Sequence, residues 1–195
     1  MSSSATYDRV ATPATRPRPA TPMPLIPDGT WTVDAARSEI GFAARELRLI
    51  TVRGRFGDVS GTLRGGRVAW PIAECAVRVA SIDTGTPKRD DHLRSSDFFD
   101  ADAHPEMKLV ADWAEPQPDG TYRVPADLTI RGNTRPVRLT VDEHELTGDR
   151  LRLRATGRIH RYDFGVRAPQ KVVEAGGFLI GREVDLELRI EAVRD

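Results

Sequence analysis

From Gly29 onward apolar and polar residues alternate along most of the chain, the mark of strands with one buried and one solvated face. Gly29 to Asp34 opens as a short strand. From Ser38 to Arg45, Ile40, Phe42 and Ala44 share one face. Ile50 to Leu63 puts Val52, Gly54 and Phe56 together, and Gly54, Gly57 and Gly61 mark bends or bulges in a strand that must curl. Residues 74–82 align Cys75, Val77 and Val79. Met107, Leu109, Ala111 and Trp113 alternate with Lys108 and Asp112. Tyr122, Val124, Ala126, Leu128 and Ile130 share a face, as do Val137, Leu139 and Val141. Gly65-Gly66, Gly132-Asn133 and Gly148-Asp149 are turn signals.

The last two strands are the most regular. Leu151, Leu153, Ala155 and Ile159 oppose Arg152, Arg154, Arg158 and His160. Val184, Leu186, Leu188, Ile190 and Ala192 oppose Glu183, Asp185, Glu187, Arg189 and Glu191. A row of bases and a row of acids at the same period predict cross-strand ion pairs on an outer face. The total is about eight or nine antiparallel strands, which a two-sheet sandwich or a closed barrel satisfies. The glycine-marked bends favour an all-β antiparallel barrel of about eight strands. Such a barrel can hold one small ligand, and an interior of Leu, Val, Ile and Ala suits a flexible hydrocarbon. A fully packed barrel without a cavity is the plain alternative.

One stretch breaks the alternation. Thr84 to Pro105 collects Lys88, Arg89, Asp90, Asp91, Arg94 and Asp97 with His92, His104 and the pair Phe98-Phe99. Thr86 as N-cap, Pro87 in the first turn and acids after it predict a short helix over 87–95, within an insertion reaching residue 99. This insertion reads as a plug over one end of the barrel.

Residues 1–28 are rich in Pro, Ser, Thr and Ala and predict a disordered arm, with the folded domain at 29–195. Formal net charge is zero, from 29 basic and 29 acidic residues, which argues against broad nucleic-acid binding. Cys75, the single cysteine, excludes an internal disulfide and a cysteine-built zinc site and reads as a small core residue. The chain shows neither an apolar run long enough to span a bilayer nor a leader pattern, so the expected location is cytoplasmic.

The four histidines, His92, His104, His144 and His160, lack metal-ligand spacing, and no nucleophile elbow or phosphate loop occurs. No catalytic or metal-binding residue is predicted and no cofactor. An enzyme acting on a small amphiphile, with His92 and Asp90 as acid and base, is one alternative. A packed structural or stress-related barrel without ligand is another. Arg89, His92 and Arg94 serve either to dock the insertion on the rim or to meet a ligand's polar head through forked donors.

The insertion carries a resemblance. Ser81-Ile82-Asp83-Thr84, Arg89-Asp90-Asp91-His92-Leu93-Arg94-Ser95 and Asp97-Phe98-Phe99-Asp100, followed by His104-Pro105, are similar to the signature of the YceI-like proteins. Val52-Arg53-Gly54-Arg55-Phe56, Leu128-Thr129-Ile130-Arg131-Gly132, Arg161-Tyr162-Asp163-Phe164-Gly165 and the strand from Glu183 support it, over residues 29–193. The resemblance implies an extended lipocalin-like barrel that binds an isoprenoid lipid of the polyprenyl phosphate or quinone type, without catalysis. It implies a tail along Phe42, Phe56, Leu109, Leu128, Leu139, Leu153 and Leu186. It places the head near Arg89, His92, Arg94, Phe98 and Phe99 and the turn of Arg161 and Phe164. Glu46 stands where the family usually has histidine. Transient contact with a membrane surface and a homodimer are compatible with this reading.

Overall fold

The computed structural model describes residues 25–46, 50–66, 72–167 and 180–195. Among the described residues, twelve strands form one antiparallel sheet: β1 Gly29–Val33, β2 Glu39–Glu46, β3 Ile50–Phe56, β4 Val59–Gly65, β5 Ala73–Arg78, β6 Ile82–Asp83, β7 Glu106–Ala111, β8 Glu115–Pro116, β9 Tyr122–Ile130, β10 Asn133–Thr147, β11 Arg150–His160 and β12 Ile180–Arg194. One helix, α1, spans Pro87–Arg94, and single 3₁₀ turns occupy Ala35–Arg37, Val79–Ser81 and Arg161–Phe164.

Eight of the strands close a ring in the order β1-β4-β5-β7-β9-β10-β11-β12, with β12 returning to β1 through Trp31 opposite Arg194 and Val33 opposite Ala192. The other main strands branch from it. At about 3.3 Å per residue β12 runs about 50 Å, long enough for two partners. Its last residues pair with β1, while residues 180–189 pair with β2, which leads on to β3 and β6. The barrel is thus extended on one side by a hairpin.

The expected single strand over 50–63 is two strands. β3 pairs with β2 and β6, whereas β4 pairs with β1 and β5. Gly57-Asp58 is where the chain leaves the branch and enters the ring. The expected strand over 74–82 likewise ends at Arg78, because Val79–Ser81 winds into a 3₁₀ turn.

The turns follow their chemistry. β9 and β10 are joined by Arg131-Gly132, both with positive φ (50° and 70°), as a two-residue turn of the twist-matched kind requires. The predicted ion-pair row forms on the outer face: Arg152 to Glu191 at 3.0 Å, Arg154 to Glu187 at 3.1 Å and Arg158 to Asp185 at 2.6 Å.

The inward faces make one core, including Trp31, Val59, Ile82 and Leu151, all nearly inaccessible. Residues 1–24 of the expected arm lie outside the described residues. Its remainder needs a correction: Leu25 and Ile26 are buried, and the Trp31 indole N–H donates to the Pro27 carbonyl at 3.0 Å. The carbonyls of Ile26 and Pro27 lie so close to Gly65 that a Cβ there would collide with them. The domain therefore starts by Leu25, and this segment covers the barrel end opposite α1.

Candidate functional site

A cavity of about 200 Å³ lies inside the barrel and its hairpin branch. β2 and β3 contribute Ile40, Phe42, Ala44, Val52 and Phe56; β7, β9, β10 and β11 contribute Leu109, Leu128, Leu139 and Leu153; β12 contributes Val184, Leu186 and Leu188. These are the positions whose period-two alternation aims them inward. Leu25, Ile26, Leu63 and Ile72 line one end, and Arg89, Leu93, Phe98, Phe99, Arg161 and Val166 line the other. Among the described residues, Arg89, Lys108 and Arg161 are the charged residues in the wall, and no acid lines it.

Small residues make the width. A Cβ on Gly54 would strike the Phe42 ring and the Thr84 methyl. Phe42 therefore lies across β3 and meets Phe56 at 5.5 Å between ring centroids. Phe99 comes down from the insertion and meets Phe56 edge-on at 5.8 Å. The aromatic pair of the insertion is thus part of the cavity roof.

The charged part of the insertion mostly binds its own backbone. The buried Asp90 carboxylate accepts from the Thr84 amide at 3.0 Å and from the Thr84 hydroxyl. Arg89 donates to the Thr84 hydroxyl oxygen at 2.7 Å and to the Thr84 carbonyl at 2.8 Å. Arg94 donates to the carbonyls of Ala80 at 3.0 Å and Ile82 at 2.8 Å and pairs with Asp91 at 3.0 Å. Since Ile82 is opposite Phe56 in the sheet, these bonds clamp α1 to the end of β3.

Eleven of the fourteen predicted ligand residues line the cavity: Phe42, Phe56, Arg89, Phe98, Phe99, Leu109, Leu128, Leu139, Leu153, Arg161 and Leu186. The other three, His92, Arg94 and Phe164, do not line it. Arg94 spends its guanidinium on the Ala80 and Ile82 carbonyls. His92 turns outward, 3.3 Å from Asp97 and edge-on to Phe98 at 4.9 Å. Phe164 is buried on the far side of the wall, beneath an outer groove with Trp113 and His160. His92 and Asp90 are not brought together as acid and base, because Asp90 is taken by Thr84. Glu46 has no described side chain.

Arg161 is the buried cation of the site. Its Nε donates to the Gly181 carbonyl at 2.9 Å and its Nη1 to the Val166 carbonyl at 2.7 Å. Burial pulls its guanidinium down from the usual arginine range, partly offset by Tyr162, and the nearby Arg182 lowers it further. It also lies over the Tyr162 ring, 4.7 Å from the centroid, where Arg167 (5.4 Å) and Arg182 (5.2 Å) converge as well. Arg167 and Arg182 escape a sequence reading because they follow no strand period and lie fifteen residues apart. Cys75 also lines the cavity, and burial pushes its thiol up to about 11, with Glu74 adding to the effect. Among the described residues there is no cluster of His, Cys, Asp and Glu fit to hold a metal.

Comparison with known proteins settles the kinship. The profile of the YceI-like domain matches residues 31–192, nearly the whole barrel. The chain belongs to the YceI-like family. A UPF0312 protein of Photorhabdus laumondii is 32% identical over 164 residues, covering 80% of this chain and 81% of that one. Another UPF0312 protein, from Staphylococcus aureus, is 27% identical over 169 residues and is covered over 95% of its length. Among solved structures, Burkholderia cenocepacia BcnA superposes with a TM-score of 0.70 at 22% identity, covering 82% of this chain and 98% of that one. A polyisoprenoid binding domain from Saccharophagus degradans, implicated in plant cell wall breakdown, superposes with a TM-score of 0.68 at 17% identity, covering 85% of this chain and 98% of that one. The YceI-like barrel here shares their fold, with the cavity just described as its interior.

Proposed function

We propose that this YceI-like barrel is a non-enzymatic binder and carrier of an amphiphilic isoprenoid lipid. The observation that carries the reading is the apolar cavity running from Leu25 and Ile26 to the α1 end, where its wall changes to arginine. A hydrocarbon chain in that space has aliphatic partners along its length, and each methylene removed from water contributes about 0.8 kcal/mol. Leu, Ile, Val and Phe side chains offer neither a nucleophile nor a proton donor to a chain lying among them, which suits carriage better than turnover. The Saccharophagus degradans neighbour, named as a polyisoprenoid binding domain, supports an isoprenoid as the chain chemistry. The tail then lies along Phe42, Phe56, Leu109, Leu128, Leu139, Leu153 and Leu186, and the head at the α1 end.

Native mass spectrometry of the gently purified protein tests this. The expected result is a bound lipid species, or uptake of an added prenyl lipid at one per chain. A protein that carries no lipid and takes up neither a prenyl alcohol nor a prenyl diphosphate overturns the proposal.

A further inference from the structure

The apolar end of the cavity is not made by strands alone. Leu25 and Ile26, which precede β1, are only 6% and 4% exposed, and they line the cavity together with Leu63 of β4 and Ile72. Three strands hold this segment in place. From β1, the Trp31 indole donates to the Pro27 carbonyl at 3.0 Å. From β12, the Arg194 guanidinium donates to the Asp28 carbonyl and lies over the Trp31 ring, 5.3 Å from its centroid. From β4, Gly65 leaves the room that the carbonyls of Ile26 and Pro27 take up.

Gly29 makes the bend that this placement needs. Its φ of 120° is open to glycine and strained for other residues, and a Cβ there would meet the Arg194 side chain at 3.2 Å. Leu25 to Asp28 therefore lies over the barrel end, while β1 runs on in the wall. The sides of the cavity are strand residues. β12 alone lines it from Val184 to Ile190, which is about 20 Å at the usual rise of a strand. Leu25 and Ile26 stand where a longer tube would continue.

We propose that Leu25 and Ile26 act as a ruler: they end the cavity and set the longest isoprenoid tail it accepts, so that the barrel selects a short tail over a long one. The inference rests on the isoprenoid-binding reading above and deepens it. A tail that outruns the space has two choices. It keeps its last methylenes in water, or it pushes two buried apolar side chains out into water. Either way it forgoes burial that a shorter tail retains, and selection is that difference. The anchors make displacement costly, because moving the segment also breaks the bonds from Trp31 and Arg194.

The test offers the full chain an equimolar mixture of geranylgeraniol and solanesol, whose tail is more than double the length, in phosphatidylcholine vesicles. The alcohols recovered with the protein are quantified by mass spectrometry. The wild type is expected to carry geranylgeraniol over solanesol by at least tenfold. In Leu25→Ala/Ile26→Ala the end wall is cut back, and the ratio is expected to fall to near one. Gly65→Ala leaves the cavity side chains as they are but drives a methyl group against the Ile26 and Pro27 carbonyls, and the ratio is expected to fall in the same direction. Arg194→Gln loosens the segment from the exposed surface, keeps the core intact and is expected to give an intermediate ratio. A loss of stability alone would lower both alcohols together and leave their ratio where it was. A wild-type ratio near one or favouring solanesol, or a ratio that stays at the wild-type value in the folded variants, overturns the ruler, while bound geranylgeraniol leaves the carrier reading standing. Recovery of neither alcohol removes both proposals.

Discussion

At the scale of single residues, the same side-chain types serve two ends. Arg89, Asp90, His92 and Arg94 have the composition of a ligand site, yet most of their donors and acceptors go to Thr84, Ala80 and Ile82. Spacing cannot separate these uses, because a backbone carbonyl and a phosphate oxygen attract the same guanidinium. Arg94→Ala leaves two carbonyls without their donor and is expected to cost about 1–3 kcal/mol, read as a drop in denaturation midpoint. Its lipid affinity per folded molecule should stay as it was, since Arg94 does not touch the cavity. Cys75 reports on occupancy. With its thiol at about 11, about one molecule in a thousand carries a thiolate at pH 8. Alkylation by iodoacetamide should be slow and should slow further when a prenyl lipid fills the space beside it.

At the scale of elements, alternation was enough to read the strands, because most of them have one wet and one dry face, the exposed second half of β10 excepted. β9 and β11 match their predicted faces, and β12 does so except at Glu191, which is buried beneath its arginine partners. What local pattern does not carry is partnership. The division of 50–63 between branch and ring depends on which strands lie alongside, as does the two-partner role of β12. Leu25 and Ile26 were hidden by the proline-rich composition around them.

The β11–β12 charge row gives an acid-sensitivity prediction. Hydrogen bonds from Arg152 and Arg150 hold the Glu191 carboxyl below the usual carboxylate range, and hydrogen bonds from Arg154 and Arg189 do the same for Glu187. A lowered folded-state value means stabilisation that is complete above the unfolded value and lost as pH falls. The melting temperature should therefore hold down to about pH 4.5 and then decline through the lower values. Glu191→Gln should lower the plateau and flatten that decline. A variant with the wild-type acid limb would show that Glu191 takes no part.

At the scale of the whole molecule, two ends of one cavity have different chemistry. The Leu25–Ile26 end is apolar and closed across Gly65, while the α1 end carries the arginines. This polarity makes the orientation of a bound chain a property of the barrel. Leu153→Trp, placed mid-cavity, should reduce uptake of a prenyl alcohol at least tenfold at a stability cost of about 1–3 kcal/mol. Uptake that survives the larger side chain would put the lipid elsewhere. Leu25→Asp should open the far end and speed lipid release, measured by transfer to an acceptor vesicle. Among the described residues no helix is long and apolar enough to cross a membrane.

The pairing of β1 with β12 has a kinetic side. Trp31 meets Arg194, and the Thr32 hydroxyl donates to Asp195 at 2.7 Å across 163 residues of chain. Bringing such distant segments together has a loop-closure cost that local hairpins such as β9–β10 escape, so the ring should shut late in folding. Until it does, β1 and β12 each present an unpaired edge, and an edge recruits whatever strand is nearest, including one from another molecule. Refolding yield should therefore fall as protein concentration rises, and in pulse-labelled hydrogen exchange the β1–β12 amides should be among the last protected. On the proposed lipid-binding reading, lipid added during refolding would then meet an open trough rather than a closed tube, so the easiest moment to load the barrel is before it has finished folding.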